Sequence, residues 1–223
     1  MGRRVVSPID KYLDQVRQTL DLLPRNKVEE VIEMLLRAYM EDRQVFMIGN
    51  GGSSSTASHF ACDLAKSTAR AGRKRFRTIA LTDNVALLTA WANDNGYQSV
   101  FSEQLANLMN EGDILVAISG SGNSPNILEA VKEARARGGE TIGLTGFGGG
   151  KLREMVDLCV VVPSQCMAQI EDVHLILEHL VSSCIGEVIS NEGGFFGSGR
   201  SDQREPCRTC EDLGGIPVSA SSC

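Results

Sequence analysis

Positive charge is in short supply in this sequence. Lysine and arginine together number 22 against 28 aspartates and glutamates, for a net charge of −6 at pH 7. A chain without a basic excess is poorly matched to a phosphate backbone, so direct nucleic-acid binding is not expected. Long apolar runs are also missing. None approaches the ~20 residues of a membrane span, and no membrane association is expected. The first residues, MGRRVVSPIDKYLDQ, carry two arginines but no apolar stretch of a secretory signal. Ser7 stands one place beyond the hydroxyl position of a myristoylation signal. These absences predict a cytoplasmic protein. The seven cysteines lack the spacing of a disulfide framework. Cys62, Cys159, Cys166 and Cys184 lie in apolar segments and are expected to be reduced core thiols. Cys207 and Cys210 form one isolated C-x-x-C, which alone is weak evidence for a metal or redox site.

What is present is a single domain's worth of chain, long enough to bury a core without staples. Residues 8–40 read as two helices separated by Pro24. From residue 45 the pattern changes to short apolar runs, each leading through turn residues into a helical stretch. The runs are VFMI (45–48), TIAL (78–81), ILVAI (114–118), TIGL (141–144) and LCVVV (158–162). Runs without alternation suggest strands covered on both faces, and their alternation with helices predicts an α/β, doubly wound parallel sheet. A long helix follows over about 167–190. Residues 1–40 are assigned to N-terminal helices, 41–192 to the α/β domain, and 193–223 to a Gly- and Ser-rich tail expected to be disordered apart from the Phe195–Phe196 pair.

Two turns stand out. VFMI runs into GNGGSSS (49–55), and ILVAI runs into SGSGNSPN (119–126), each at the start of a helix. There the free N–H groups and the positive end of the helix dipole face outward, at the strand ends where open α/β sheets bind ligands. Glycine permits close approach and serine adds uncharged donors, a combination suited to a phosphate ester. Neither turn has the Walker lysine or a dinucleotide-binding pattern.

These turns, GNGGSSSTASHFACDL and AISGSGNSPNI, resemble the two signature loops of sugar isomerase (SIS) domains, and within that group those of the phosphoheptose isomerases. LTAWANDNGYQSVFSEQL (88–105), GLTGFGGGKL (143–152) and QIEDVHLILEHL (169–180) extend the resemblance over roughly residues 8–190. It implies a three-layer αβα sandwich with a five-stranded parallel, flavodoxin-like sheet, an N-terminal helical hairpin and a long C-terminal helix. It further implies a homotetramer with active sites at subunit interfaces. The implied sugar-phosphate contacts are Asn50, Gly51, Gly52 and Ser53 in the first loop and Ser119, Gly120, Ser121 and Ser124 in the second. Asn93, Asp94 and Glu171 complete that set. The family commonly has threonine where this chain has Gly120, which removes one hydroxyl and implies weaker or reshaped binding.

Only three histidines occur, His59, His174 and His179. His59 and Asp63 lie a turn apart on one helical face. From spacing alone they suit a metal, a carboxylate orienting an imidazole, or merely a surface histidine near a helical carboxylate. His174, five residues before His179, points to another face and is expected to be a helix-packing or interface histidine. By the resemblance, one zinc per subunit is held by His59, Asp63, Glu171 and His179. Asp63 would be the base and His179 its acid/base partner in a ketose–aldose interconversion of sedoheptulose 7-phosphate, the first step of bacterial nucleotide-activated heptose synthesis. Asp63 stands where the family has glutamate and Glu171 where it has glutamine. Glu171 and His179 are ~12 Å apart along a regular helix, so an ion bound by both is expected to sit between chains. The resemblance also admits a non-catalytic SIS protein that binds the replication initiator DnaA, or a sugar-phosphate sensor. The joint presence of His59, a carboxylate at 63 and His179 favours the enzyme.

Overall fold

The computed structural model describes residues 7–191. The tail's Cys207–Cys210 pair, Phe195–Phe196 and the expected disorder of 193–223 lie outside the described residues.

The chain opens on two helices, α1 (Pro8–Asp21) and α2 (Arg25–Met40). Ser7 caps α1 by accepting from the Asp10 N–H, with Pro8 at the first helical position. Five strands follow: β1 (Gln44–Gly49), β2 (Arg77–Ala80), β3 (Ile114–Ser119), β4 (Glu140–Thr145) and β5 (Leu158–Val161). Between and after them lie α3 (Gly52–Lys66), α4 (Val85–Asn95), α5 (Ser102–Leu108), α6 (Pro125–Ala136), α7 (Leu152–Met155) and α8 (Met167–Asn191). All strand pairs are parallel, in the order β2-β1-β3-β4-β5. The sequence direction reverses between β1 and β3, so this is the switch point where open α/β sheets leave a crevice at their carboxyl edge. The two Gly/Ser turns are the loops that leave β1 and β3.

The pleat sorts each central strand onto two cores. Val45 and Met47 of β1 join Ile114, Val116 and Ile118 of β3 under α2, α3 and α8. Phe46 and Ile48 join Leu115 and Ala117 under α5 and α6. Strand β2 departs from the expected two-sided burial: of its four residues only Ala80 is buried, and Ile79 is exposed. It is an edge strand, with an open cleft of about 680 Å³ lined by Ser58, Cys62, Thr78, Asp83 and Val85. The cysteines depart too, since Cys62 and Cys166 are exposed while Cys159 and Cys184 are half-buried.

Helix α8 corrects the reading of apolar runs. By length and composition its 25 residues could cross a membrane. Its stripe Ile170, Val173, Leu177, Val181 and Ile185 is instead buried in the first core, so it serves as a core helix. His174 lies on the same stripe, as expected for a packing histidine. Its Nε2 bonds the Thr145 carbonyl at 3.2 Å, while Nδ1 is buried without a partner. Burial lowers its pKa to about 4, against the weaker raising effect of that bond. A depressed histidine pKa means that the folded chain resists a proton the unfolded chain accepts. Stability is therefore full above about pH 6.5 and falls as pH drops towards 4. Over that range the wild type should lose roughly 3 kcal/mol more than His174→Phe, measured by urea unfolding at stepped pH.

Candidate active site

The loop after β1 turns at Gly51, whose φ of +54° places it in the region glycine tolerates best. Gly51 precedes α3 and accepts from the Ser54 N–H. The loop after β3 ends at Ser124, whose hydroxyl makes no capping bond before Pro125. Together they form a polar cleft of about 110 Å³ lined by Asn50, Ser53, Ser119, Gly120, Ser121 and Ser124, with Met167 and Glu171 of α8. Ser119 Oγ accepts from the Gly122 N–H and lies 3.4 Å from Ser124 Oγ. The cleft gathers hydroxyls at two helix N-termini, where an oxyanion is stabilised.

Three details differ from the sequence reading. The side chain of Asn50 is a clasp: its amide exchanges two 2.8 Å hydrogen bonds with Asn126 and its oxygen also accepts from Tyr97 Oη at 3.0 Å. Asn126 is buried and ties the two loops together, a role its sequence position did not reveal. Asn93 and Asp94 sit exposed on α4, bonded to each other, and do not line the cleft of their own chain. At Gly120 a side chain would place Cβ 2.5 Å from Met167 Sδ, so methionine takes the volume a threonine would need. Gly120→Thr combined with Met167→Ala should lower KM for a sugar phosphate about 10-fold, the worth of one hydrogen bond to a charged group. Gly120→Thr alone should gain less, because the sulfur must first move.

Helices α3 and α8 run side by side in the same direction. Glu171 lies against Gly52 at the start of α3, and further along Glu178 meets His59 and His179 meets Asp63. This registry brings His59, Asp63, Glu178 and His179 into one cluster with ligand atoms all within 4.8 Å of one another. The two imidazoles meet edge to face, with centroids 4.8 Å apart. Glu178 Oε1 lies 3.3 Å from His59 Nδ1 and 3.2 Å from His179 Nε2. Asp63 stands farther off, at 4.0 Å from His59 Nε2 and from His179 Nε2. His59 and His179 are half exposed, so a ligand can reach them.

His59, Asp63 and His179 come together within one chain, where a site assembled between chains was expected, and Glu171 is not among them. Its carboxylate lines the serine cleft of its own chain. Glu178 was missed. Its signal was a carboxylate on the buried stripe of α8, four residues after His174 and three before Val181. Burial, together with the smaller effect of the Asp63 charge, pushes its pKa up to about 8. Neither of its buried oxygens has a hydrogen-bond partner. Two imidazoles and two carboxylates form a donor set that zinc accepts, and the orphaned oxygens of Glu178 fit a bound cation.

A parallel sheet with a phosphate-suited crevice at its switch point defines the class: residues 11–146 match the SIS domain. The chain is 38% identical to the phosphoheptose isomerase of Sulfurimonas denitrificans over 170 residues, covering 75% of this chain and 86% of that one. It is 36% identical to that of Geobacter sulfurreducens over 184 residues, covering 81% and 97%. Its fold is similar to the solved phosphoheptose isomerase GmhA of Neisseria gonorrhoeae, with a TM-score of 0.74 and 34% identity over 80% of this chain and 97% of that one. The phosphoheptose isomerase structure from Francisella tularensis gives 0.75 at 34%, covering 80% and 96%. The chain belongs to the SIS domain family and, within it, to the phosphoheptose isomerases.

Proposed function

We propose that the chain interconverts sedoheptulose 7-phosphate and D-glycero-D-manno-heptose 7-phosphate through an enediol, at the entry to nucleotide-activated heptose synthesis in the cytoplasm. The observation that carries this reading is the meeting of His59, Asp63 and His179 in one cluster. Ser53, Ser119, Ser121 and Ser124 would hold the phosphate and the adjoining hydroxyls. Asp63 takes a proton from C1 as that C–H pair becomes the C1–C2 double bond, and His179 gives a proton to the C2 oxygen. In the second half Asp63 returns its proton to C2. His179 recovers one from the C1 hydroxyl, leaving the aldehyde. His59, Asp63 and His179 would hold a zinc ion, which when bound supplies positive charge to polarise the reacting oxygens.

The same reading makes the protein a homotetramer with active sites at subunit interfaces. Asn93 and Asp94, which do not line the cleft of their own chain, would then serve a neighbour's. Exposed Ile176 and Leu180 beside an apolar cleft of about 420 Å³ between α2 and α8 support burial by another subunit. The deciding experiment incubates the full chain with sedoheptulose 7-phosphate in deuterated water, with and without zinc. Aldose product carrying deuterium at C2 is expected. Neither product nor label would overturn the assignment.

A further inference from the structure

We propose that Lys151, on the glycine-rich loop between β4 and α7, is the cation that pairs with a phosphate in the serine cleft. The inference rests on the sugar-phosphate reading above and adds a residue to it. The residues lining the cleft offer hydroxyls and an amide, and their one charged group is the carboxylate of Glu171. A phosphate held beside that carboxylate, partly out of water, calls for a positive counter-charge. The sequence leaves few candidates. Residues 78–131 contain no lysine or arginine, and the loops that leave the five strands contain one, Lys151. It closes GLTGFGGGKL (143–152), a family-like segment that neither the cleft lining nor the imidazole cluster uses.

The backbone holds Lys151 against the second serine loop. Four successive residues, Phe147 to Gly150, have positive φ, from +47° to +103°. For phenylalanine that conformation is strained, and such strain gathers at functional sites. The resulting coil presses the two loops together. A Cβ at Gly122 would collide with the Gly149 carbonyl oxygen, and one at Gly150 with the Ser121 carbonyl oxygen. Asn123 ties the same contact. Its Nδ2 donates to the Ser121 carbonyl at 2.9 Å, and its Oδ1 accepts from the Lys151 N–H at 3.1 Å. The collision at Gly150 puts its Cα within ~4.5 Å of the Ser121 oxygen, and Lys151 Cα, one residue on, within roughly 8 Å. An extended lysine carries its ammonium ~6 Å from Cα, so Lys151 reaches the Ser121 end of the cleft. Its side chain is exposed, and among the described residues no carboxylate engages its ammonium. A point charge on a flexible stem suits a phosphate that must enter and leave.

The test titrates a heptitol 7-phosphate, which keeps the phosphate and hydroxyls but cannot isomerise, into full-length wild type, Lys151→Gln, Lys151→Arg and Lys132→Gln. Calorimetry gives the affinities, and circular dichroism checks folding. Lys132, exposed on α6 and paired with Glu129, controls for the change in net charge. Lys151→Gln should bind about 10- to 100-fold more weakly, the worth of one hydrogen bond to a charged group. Lys151→Arg keeps the charge and should recover most of that loss, while Lys132→Gln should match the wild type. Equal affinities in Lys151→Gln and Lys132→Gln would overturn the proposal, as would a wild type that does not bind the ligand. Should Lys151→Gln fail to fold, acetylation of the wild type read by mass spectrometry decides. Bound ligand is expected to protect Lys151 and leave Lys132 reactive, and equal labelling of Lys151 with and without ligand overturns the assignment. Isomerase assays on the same samples separate this proposal from the reading it rests on. Binding that needs Lys151, without turnover of sedoheptulose 7-phosphate, keeps the phosphate contact and removes the isomerase. Turnover with an unchanged KM in Lys151→Gln does the reverse.

Discussion

Replacing His179 by alanine should lower kcat about 10²- to 10⁴-fold, the range for loss of a positioned acid/base group, and leave sugar-phosphate binding nearly intact. The separation of effects follows from placement. His179 faces His59 and the carboxylates of Asp63 and Glu178, whereas the phosphate-suited cleft is made by the serines at the two strand ends. Its half-exposed imidazole can meet substrate oxygens. Calorimetric titration should show a dissociation constant within a few-fold of wild type, and single-turnover NMR the lost chemistry. Surviving turnover would remove His179 from the proton transfer.

Substitution at Asp63 should divide by geometry. Asp63→Asn removes the base and should cost a similar 10²- to 10⁴-fold in kcat. Asp63→Glu, by contrast, should retain wild-type turnover or exceed it. The Asp63 oxygens stand 4.0 Å from the nearest imidazole nitrogens, beyond hydrogen-bond length, and one more methylene advances the carboxylate by about 1.5 Å. Space exists for it, since the side chain is partly exposed next to two half-exposed rings. A collapse of kcat in Asp63→Glu would show that the site is fitted to aspartate. Initial rates on sedoheptulose 7-phosphate, compared at saturating substrate, measure both variants.

The strands were legible because a buried parallel sheet needs continuous apolar runs, and each run named from the sequence became a strand within a residue or two. Strand β2 shows the limit. TIAL looks like its neighbours, but only pairing order decides which strand lies at an edge. The serine cleft was legible for a local reason, since both loops announce themselves where a strand becomes a helix. Glu178 was not, because depth depends on how α8 lies against α3, and a glutamate beside a histidine reads as ordinary helical surface. The Asn50–Asn126 clasp was equally hidden, as its partners lie 76 residues apart. Asn93 and Asp94 carry the family's pattern, yet a pattern in sequence does not say which chain's cleft it serves.

The carboxylate of Glu171 beside Gly52 has one more consequence. The start of α3 is one of two helix N-termini that favour negative charge at the cleft, and the carboxylate of Glu171 lies against it. On the proposed reading, a phosphate bound there would compete with this tethered carboxylate as well as with water. Free inorganic phosphate gains little from that exchange, whereas a sugar phosphate brings hydroxyl contacts that tip the balance. Glu171→Gln should therefore bind inorganic phosphate more tightly than the wild type, as calorimetric titration would show.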